Sequence, residues 1–201
     1  MKGEHGMLSK AQSKRYTPQP SLDRALSLST LEKGLLRWSM AERGDKVLDA
    51  NVGNGLMLEY LQRNMECEVC GVSDDMESVR ASRSRLRNAD IVYATREDIP
   101  WKENTFDSVY VKLLAAPLTK ADLQEILRVL KPGGQLLVGI VTVPAMIRHL
   151  TALLRLDAEE ELVKPITRAN ALELMRDDGL TQITWQRTGV FHGVGIGWKP
   201  L

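Results

Sequence analysis

Cysteine is scarce in this 201-residue chain: Cys67 and Cys70 are its two copies. Two thiols make no disulfide framework, and a C-x-x-C placed inside a strand sends its side chains to opposite faces. Buried reduced thiols are therefore expected, not redox or metal chemistry. Charge of one sign is also missing. Lysine and arginine total 27 against 26 acidic residues, for a net charge of +1, so nothing pulls the whole chain toward nucleic acid or an anionic membrane. There is no N-terminal apolar h-region and no apolar run long enough to cross a bilayer. The longest such run, Leu136 to Ile147, is interrupted by Gly139, Thr142 and Pro144 and reads as a buried strand entering a loop. No internal repeat or low-complexity segment occurs. With 43% hydrophobic residues a full core is possible, and a soluble, cytoplasmic protein of one domain is expected.

What is present is an alternation of strands and helices. Residues 1–22, with Lys10, Lys14, Arg15 and Tyr16, read as an arm, either disordered or folded over a ligand. Residues 23–201 read as a single domain. Asp23–Ala41 has helical periodicity through Leu26, Leu31, Leu35 and Trp38, with Gly44 as its stop. Strands are expected at Lys46–Ala50, Cys67–Val72, Ile91–Ala94 and Phe106–Lys112. Helices are expected at Leu56–Asn64, Asp75–Leu86 and Asp122–Leu130. Lys131-Pro132-Gly133-Gly134 then breaks the helix and launches a strand over Gln135–Val143. Ala145–Leu156 and Arg168–Met175 look helical, the second with Thr167 as N-cap and Gly179 as its stop. Gln182–Arg187 and Val190–Trp198 alternate as strands around a Thr188-Gly189 turn. Such βα repeats followed by an antiparallel pair mean an α/β fold: a mostly parallel sheet with helices on both faces.

The stretch Lys46–Gly55 carries the most information. An apolar strand ends in an acid, Asp49, and runs through Ala50 and Asn51 into a turn holding Gly53 and Gly55. Helix Leu56–Asn64 follows at once. Glycines let the backbone approach a ligand, and the helix N-terminus offers unpaired N–H groups. A dinucleotide site would place its first glycine directly after the strand and carry a third where Leu58 stands.

Three segments in this order resemble the class I S-adenosylmethionine-dependent methyltransferases. They are Val47-Leu48-Asp49-Ala50-Asn51-Val52-Gly53-Asn54-Gly55; Ile99-Pro100-Trp101 with Phe106-Asp107-Ser108-Val109; and Leu127-Arg128-Val129-Leu130-Lys131-Pro132-Gly133-Gly134. The resemblance runs from about Leu26 to the C-terminus. It implies a three-layer α-β-α sandwich around a seven-stranded sheet in the order 3-2-1-4-5-7-6, with strand seven antiparallel. The cofactor, S-adenosyl-L-methionine, would lie outside the carboxyl ends of the strands beside strand one.

The cofactor-binding positions that the resemblance implies are Asp49, Ala50, Asn51, Gly53, Gly55, Ser73, Asp74, Thr95, Arg96 and Lys112. Several depart from the family pattern. Asn51 replaces a glycine, and asparagine tolerates the left-handed backbone such a turn would use. Ser73 stands where an acid normally binds both ribose hydroxyls. Asp74, just after it, either reaches the ribose or joins Asp75 in capping the next helix. Thr95 stands where an acid commonly meets the adenine amino group; backbone groups at Arg96 and Glu97, or Asp98, are the substitutes.

The Asn/Asp-Pro-Pro-Tyr motif of base-amino and glutamine methyltransferases is absent after strand four, as is a catalytic cysteine of the cytosine-C5 type. Small-molecule methylation is the main class left, with Leu113–Thr119 and Pro144–Pro165 shaping the acceptor pocket. No general base stands out: His149 and His192 are single histidines, and Glu159–Glu161 reads as a solvated face. Two alternatives stay open. Arg80, Arg83, Arg85 and Arg87 on one helix suggest RNA as the substrate. Ser73 and Thr95 suggest a non-catalytic binding or scaffold protein.

Overall fold

The computed structural model describes residues 28–86, 88–114, 117–141 and 167–201. The expected arm, the helix over Ala145–Leu156, His149, Arg87 and Glu159–Glu161 lie outside them. Seven strands form one sheet: β1 (Lys46–Asp49), β2 (Glu68–Ser73), β3 (Asp90–Tyr93), β4 (Phe106–Leu113), β5 (Leu130–Val141), β6 (Thr181–Arg187) and β7 (His192–Trp198). Their order is β3-β2-β1-β4-β5-β7-β6. The pairs β1–β2, β1–β4, β2–β3 and β4–β5 are parallel; β7 is antiparallel to both β5 and β6. This is the sheet implied by the resemblance.

The described helices are α1 (Thr30–Trp38), α2 (Leu56–Met65), α3 (Met76–Arg85), α4 (Lys120–Val129) and α5 (Arg168–Asp177). Strand alternation builds two cores. Val47, Val69, Leu137 and Val194 pack with Leu35, Met57, Leu58 and Val79 from α1, α2 and α3. Leu48, Cys70, Val109 and Val138 pack on the other face with Leu123, Ile126 and Met175 from α4 and α5. Cys67 and Cys70 fall in opposite cores, as expected. Gly193, Gly195 and Gly197 lie on one face of β7, where Trp185, Leu172, Met175 and Leu180 occupy the space a side chain would need.

Most expected elements shift by a residue or two, and three departures have a clear physical cause. The first helix begins at Thr30, not Asp23 (residues 23–27 are outside the described set), because Ser29 and Glu32 cap each other reciprocally. It ends at Trp38, well before Gly44, because buried Gln135 intercepts it, donating to the Trp38 carbonyl at 3.1 Å and accepting from Met40 N–H at 2.9 Å. Lys131–Gly134 is not a turn ahead of the fifth strand but a bulge within it: Phe106 pairs with Leu130 and Ser108 with Gln135. The Lys131 ammonium reaches both Asp107 carboxylate oxygens, at 2.9 and 2.8 Å, which pins the bulge at the amino end of the parallel strands. Finally, the last hairpin turns over Thr188–Phe191, where both Thr188 and Gly189 donate to the His192 carbonyl. Val190 and Phe191 are exposed there, outside the strand expected for them.

Candidate ligand crevice

At the carboxyl ends of β1, β2 and β4 lies a crevice of about 640 Å³, within the ordinary size of a small-molecule site. Ala50, Asn51, Ser73, Asp74, Thr95, Arg96 and Lys112 line it, together with Ala94, Glu97, Leu114, Pro117, Thr119 and Asp122. Asp49, Gly53 and Gly55 are not in its lining and belong to the strand end and turn on either side of Ala50 and Asn51.

Asp49 is buried, at 1% exposure. Its Oδ1 accepts from Asn51 N–H at 3.1 Å, and its Oδ2 accepts from the Lys112 ammonium at 2.7 Å. The acid therefore shapes the turn and ties β1 to β4. Ala50 N–H donates to the Tyr110 carbonyl at 2.8 Å and Val52 N–H to the Val72 carbonyl at 2.9 Å, so the turn leaves the sheet held on both sides. Asn51 is not among the residues with positive φ. The left-handed position is Gly55, φ 79°, the N-cap of α2. Its role is conformational: an added Cβ would also come within 3.2 Å of the Ser82 Cα.

The carbonyls of the turn face α3. Gly53 C=O accepts from the Ser82 hydroxyl at 2.7 Å, and Asn54 C=O accepts from Arg85 Nε at 2.9 Å. Planar trans peptides put the following N–H groups, those of Asn54 and Gly55, on the opposite side. At Gly53 a Cβ would meet nothing within 4 Å among the described residues, its chain neighbours aside. Gly55 itself brings no capping side chain to α2, and Asn54 Oδ1 accepts from the Leu56 N–H at 3.2 Å.

The neighbouring acids divide their work. Asp75 is the N-cap of α3, accepting from Glu77 and Ser78 N–H and from the Ser78 hydroxyl, and these bonds hold its carboxyl below the usual range. Asp74 lines the crevice. Ser73 accepts from Asp75 N–H through its hydroxyl oxygen, leaving the O–H free to donate. Arg96 is turned to the wall, 3.3 Å from Asp122 Oδ2. Asp122 in turn accepts from Thr119 N–H at 2.9 Å in the capping box of α4. Asp98 does not join the lining, whereas Glu97 does.

Leu114, Pro117 and Thr119 of the expected loop Leu113–Thr119 line the crevice, whereas Glu32 and Asp122 are site neighbours that the sequence reading did not mark. Glu32 Oε1 stands 4.0 Å from the Lys112 ammonium, brought there by the capping box that starts α1. The pattern Ser29-x-x-Glu32 was the available signal. His192 begins β7 and does not line the crevice.

Fold and site define a class: the chain belongs to the class I S-adenosylmethionine-dependent methyltransferases. The family model described as "Methyltransferase domain" matches residues 48–138. The chain is 31% identical over 182 residues to the demethylmenaquinone methyltransferase of Corynebacterium urealyticum, covering 79% of this chain and 77% of that protein. It is 35% identical over 112 residues to the ubiquinone/menaquinone biosynthesis C-methyltransferase UbiE of Pasteurella multocida, covering 50% of this chain but 41% of that protein. The chain thus spans less than half the length of the latter relative. Among solved structures, a SAM-dependent methyltransferase from Aquifex aeolicus superposes with a TM-score of 0.64 at 21% identity, covering 90% of this chain and 93% of the other; that likeness is one of fold.

S-adenosyl-L-methionine is the cofactor of this family, and the crevice fits it. An unpartnered acid among the described residues (Asp74) and an open glycine (Gly53) in the turn before α2 suit a ribose and an amino-acid chain.

Proposed function

We propose that this chain transfers a methyl group from S-adenosylmethionine to a small-molecule acceptor, with a quinol-type ring as the acceptor class. The crevice at the carboxyl ends of β1, β2 and β4, with Asp74 facing into it, carries the first part of the reading. The names of the quinone-methylating relatives support the second. Domain 23–201 and a cytoplasmic location belong to the same reading, the latter supported by free buried thiols suited to a reducing compartment.

In this reading Asp74, assisted by the Ser73 hydroxyl, takes the ribose hydroxyls. Thr95 and the backbone at Arg96 meet the adenine. The turn Asn51–Gly55 receives the methionine end, with Asp49 holding that turn from below. The cofactor supplies a methyl group on a good sulfonium leaving group. The protein's own contribution is to fix the direction of approach, with Ala50, Leu114 and Pro117 giving the crevice apolar surface and the fixed turn removing freedom from the bound chain.

Calorimetric titration with S-adenosylmethionine and S-adenosylhomocysteine tests the site, and transfer of a labelled methyl group to a naphthohydroquinone tests the acceptor. Absence of heat and of thermal stabilisation at millimolar cofactor would leave the scaffold reading in its place. Two of the four arginines behind the RNA reading are engaged within the fold. Arg83 spends Nε and Nη2 on the Ile91 carbonyl, and Arg85 is tied to Asn54 and Glu59. We expect no salt-sensitive retention of RNA in a filter assay at low ionic strength.

A further inference from the structure

We propose that Lys112 is the anion-binding residue of the crevice, presenting its ammonium to an ionised oxygen of a bound ligand. The proposal rests on the crevice being the cofactor and acceptor site. Lys112 sits near the end of β4 between Val111 and Leu113, both of which turn into the core on the α4 side. Strand alternation therefore sends the lysine to the α1 side, where it lines the crevice at 7% exposure.

A buried ammonium bears a large desolvation cost, and a buried ion pair is no better for stability than two apolar residues packed in its place. The pairing of Lys112 with Asp49 therefore calls for another use. An ammonium carries three N–H donors. Among the described residues one goes to Asp49 Oδ2 at 2.7 Å. Glu32 Oε1, at 4.0 Å, is beyond hydrogen-bond length, and its other oxygen is committed to Ser29 N–H and hydroxyl. The remaining donors of Lys112 are unspent on the described residues. The other cation of the lining, Arg96, is turned onto Asp122 and the Pro117 carbonyl. The remaining charged groups of the lining, Asp74, Glu97 and Asp122, are acids. Lys112 is thus the cation placed to meet an anion, with Asp49 fixing its position.

Two ligands can bring that anion: the cofactor, through the carboxylate of its methionine end, and a quinol-type acceptor, through an ionised ring oxygen. The experiment compares wild type and Lys112→Met at neutral pH on two probe pairs. The first is S-adenosylhomocysteine against 5′-methylthioadenosine, which lacks the amino-acid end. The second is 2-hydroxy-1,4-naphthoquinone, an anion at that pH, against 2-methyl-1,4-naphthoquinone, which has no ionisable group. We expect wild type to prefer the charged member of one pair, and Lys112→Met to lose that preference by about tenfold or more. The pair affected names the source of the anion. Identical preferences in both proteins across both pairs overturn the role of Lys112 and leave the crevice reading standing. Failure of wild type to bind either adenosyl probe overturns both. Should Lys112→Met unfold by circular dichroism, the charge-neutral Asp49→Asn/Lys112→Met protein carries the same comparison.

Discussion

The Ser82 hydroxyl donates to the Gly53 carbonyl across 2.7 Å, joining the middle of α3 to the turn after β1. Ser82 is fully buried, so water has no ready access to replace the bond. Ser82→Ala leaves a carbonyl short of its partner, a loss of about 1–3 kcal/mol. We expect a lower urea midpoint with unchanged slope, together with weaker binding of S-adenosylhomocysteine by calorimetry. A stability equal to wild type would show that this bond does not hold the turn.

The two glycines of the turn respond differently to substitution. Gly55→Ala forces a side chain into a left-handed backbone at φ 79° and toward Ser82, which costs about 1–2 kcal/mol from the backbone alone. Among the described residues, its chain neighbours aside, the Cβ of Gly53→Val meets no atom within 4 Å, so the fold survives while the ligand's space is taken. Thermal melting should register the first change and calorimetry the second. A folded Gly53→Val protein with wild-type affinity would remove this glycine from the cradle.

Asp74 and Asp75 separate binding from stability. Asp74→Asn should weaken S-adenosylhomocysteine binding without moving the melting temperature. Asp75→Asn should lower the melting temperature and leave the affinity nearly unchanged. The side-chain bond from Ser78 leads the causes that depress the Asp75 carboxyl in the folded state. Its stabilising contribution is complete above the unfolded value of about 4 and fades as pH falls through the lower folded one. The stability difference between wild type and Asp75→Asn should accordingly hold steady at neutral pH and shrink in acid.

Burial pushes the thiols of Cys67 and Cys70 up to about 12 from an ordinary 9.0. The unfolded chain releases those protons first, so stability falls as pH rises from about 9 toward about 12. Tyr110, raised by complete burial, acts in the same direction. In urea titrations at increasing alkalinity, Cys67→Ala/Cys70→Ala should lose stability less steeply than wild type. Parallel slopes would count against the thiols as the source.

The sheet was legible because its central strands are buried on both faces and bounded by turn residues: Val47-Leu48 and Val109–Leu113 admit little else. The hairpin tip was misread for the same reason. Val190 and Phe191 look like strand, yet the tip leaves them in solvent. The long reach of Gln135 to Trp38 and Met40, which ends α1 early, joins residues far apart in sequence and has no local signature. The site divides similarly. Asp49, Gly55 and Asp74 stand at fixed spacing from one another and could be placed by counting. Glu32 and Asp122 arrive from separate helices, and only the folded chain brings them to the crevice.

The bulge Lys131–Gly134, clasped to Asp107, lies at the far end of the sheet from the crevice. This one of the three segments that announce the family is therefore masonry, while another, Val47–Gly55, reaches the crevice through Ala50 and Asn51. A lineage can exchange one acceptor for another while keeping that clasp intact. Its signature records descent from a scaffold, and the crevice, with Asp74 and Lys112 in its lining, opens at the opposite rim.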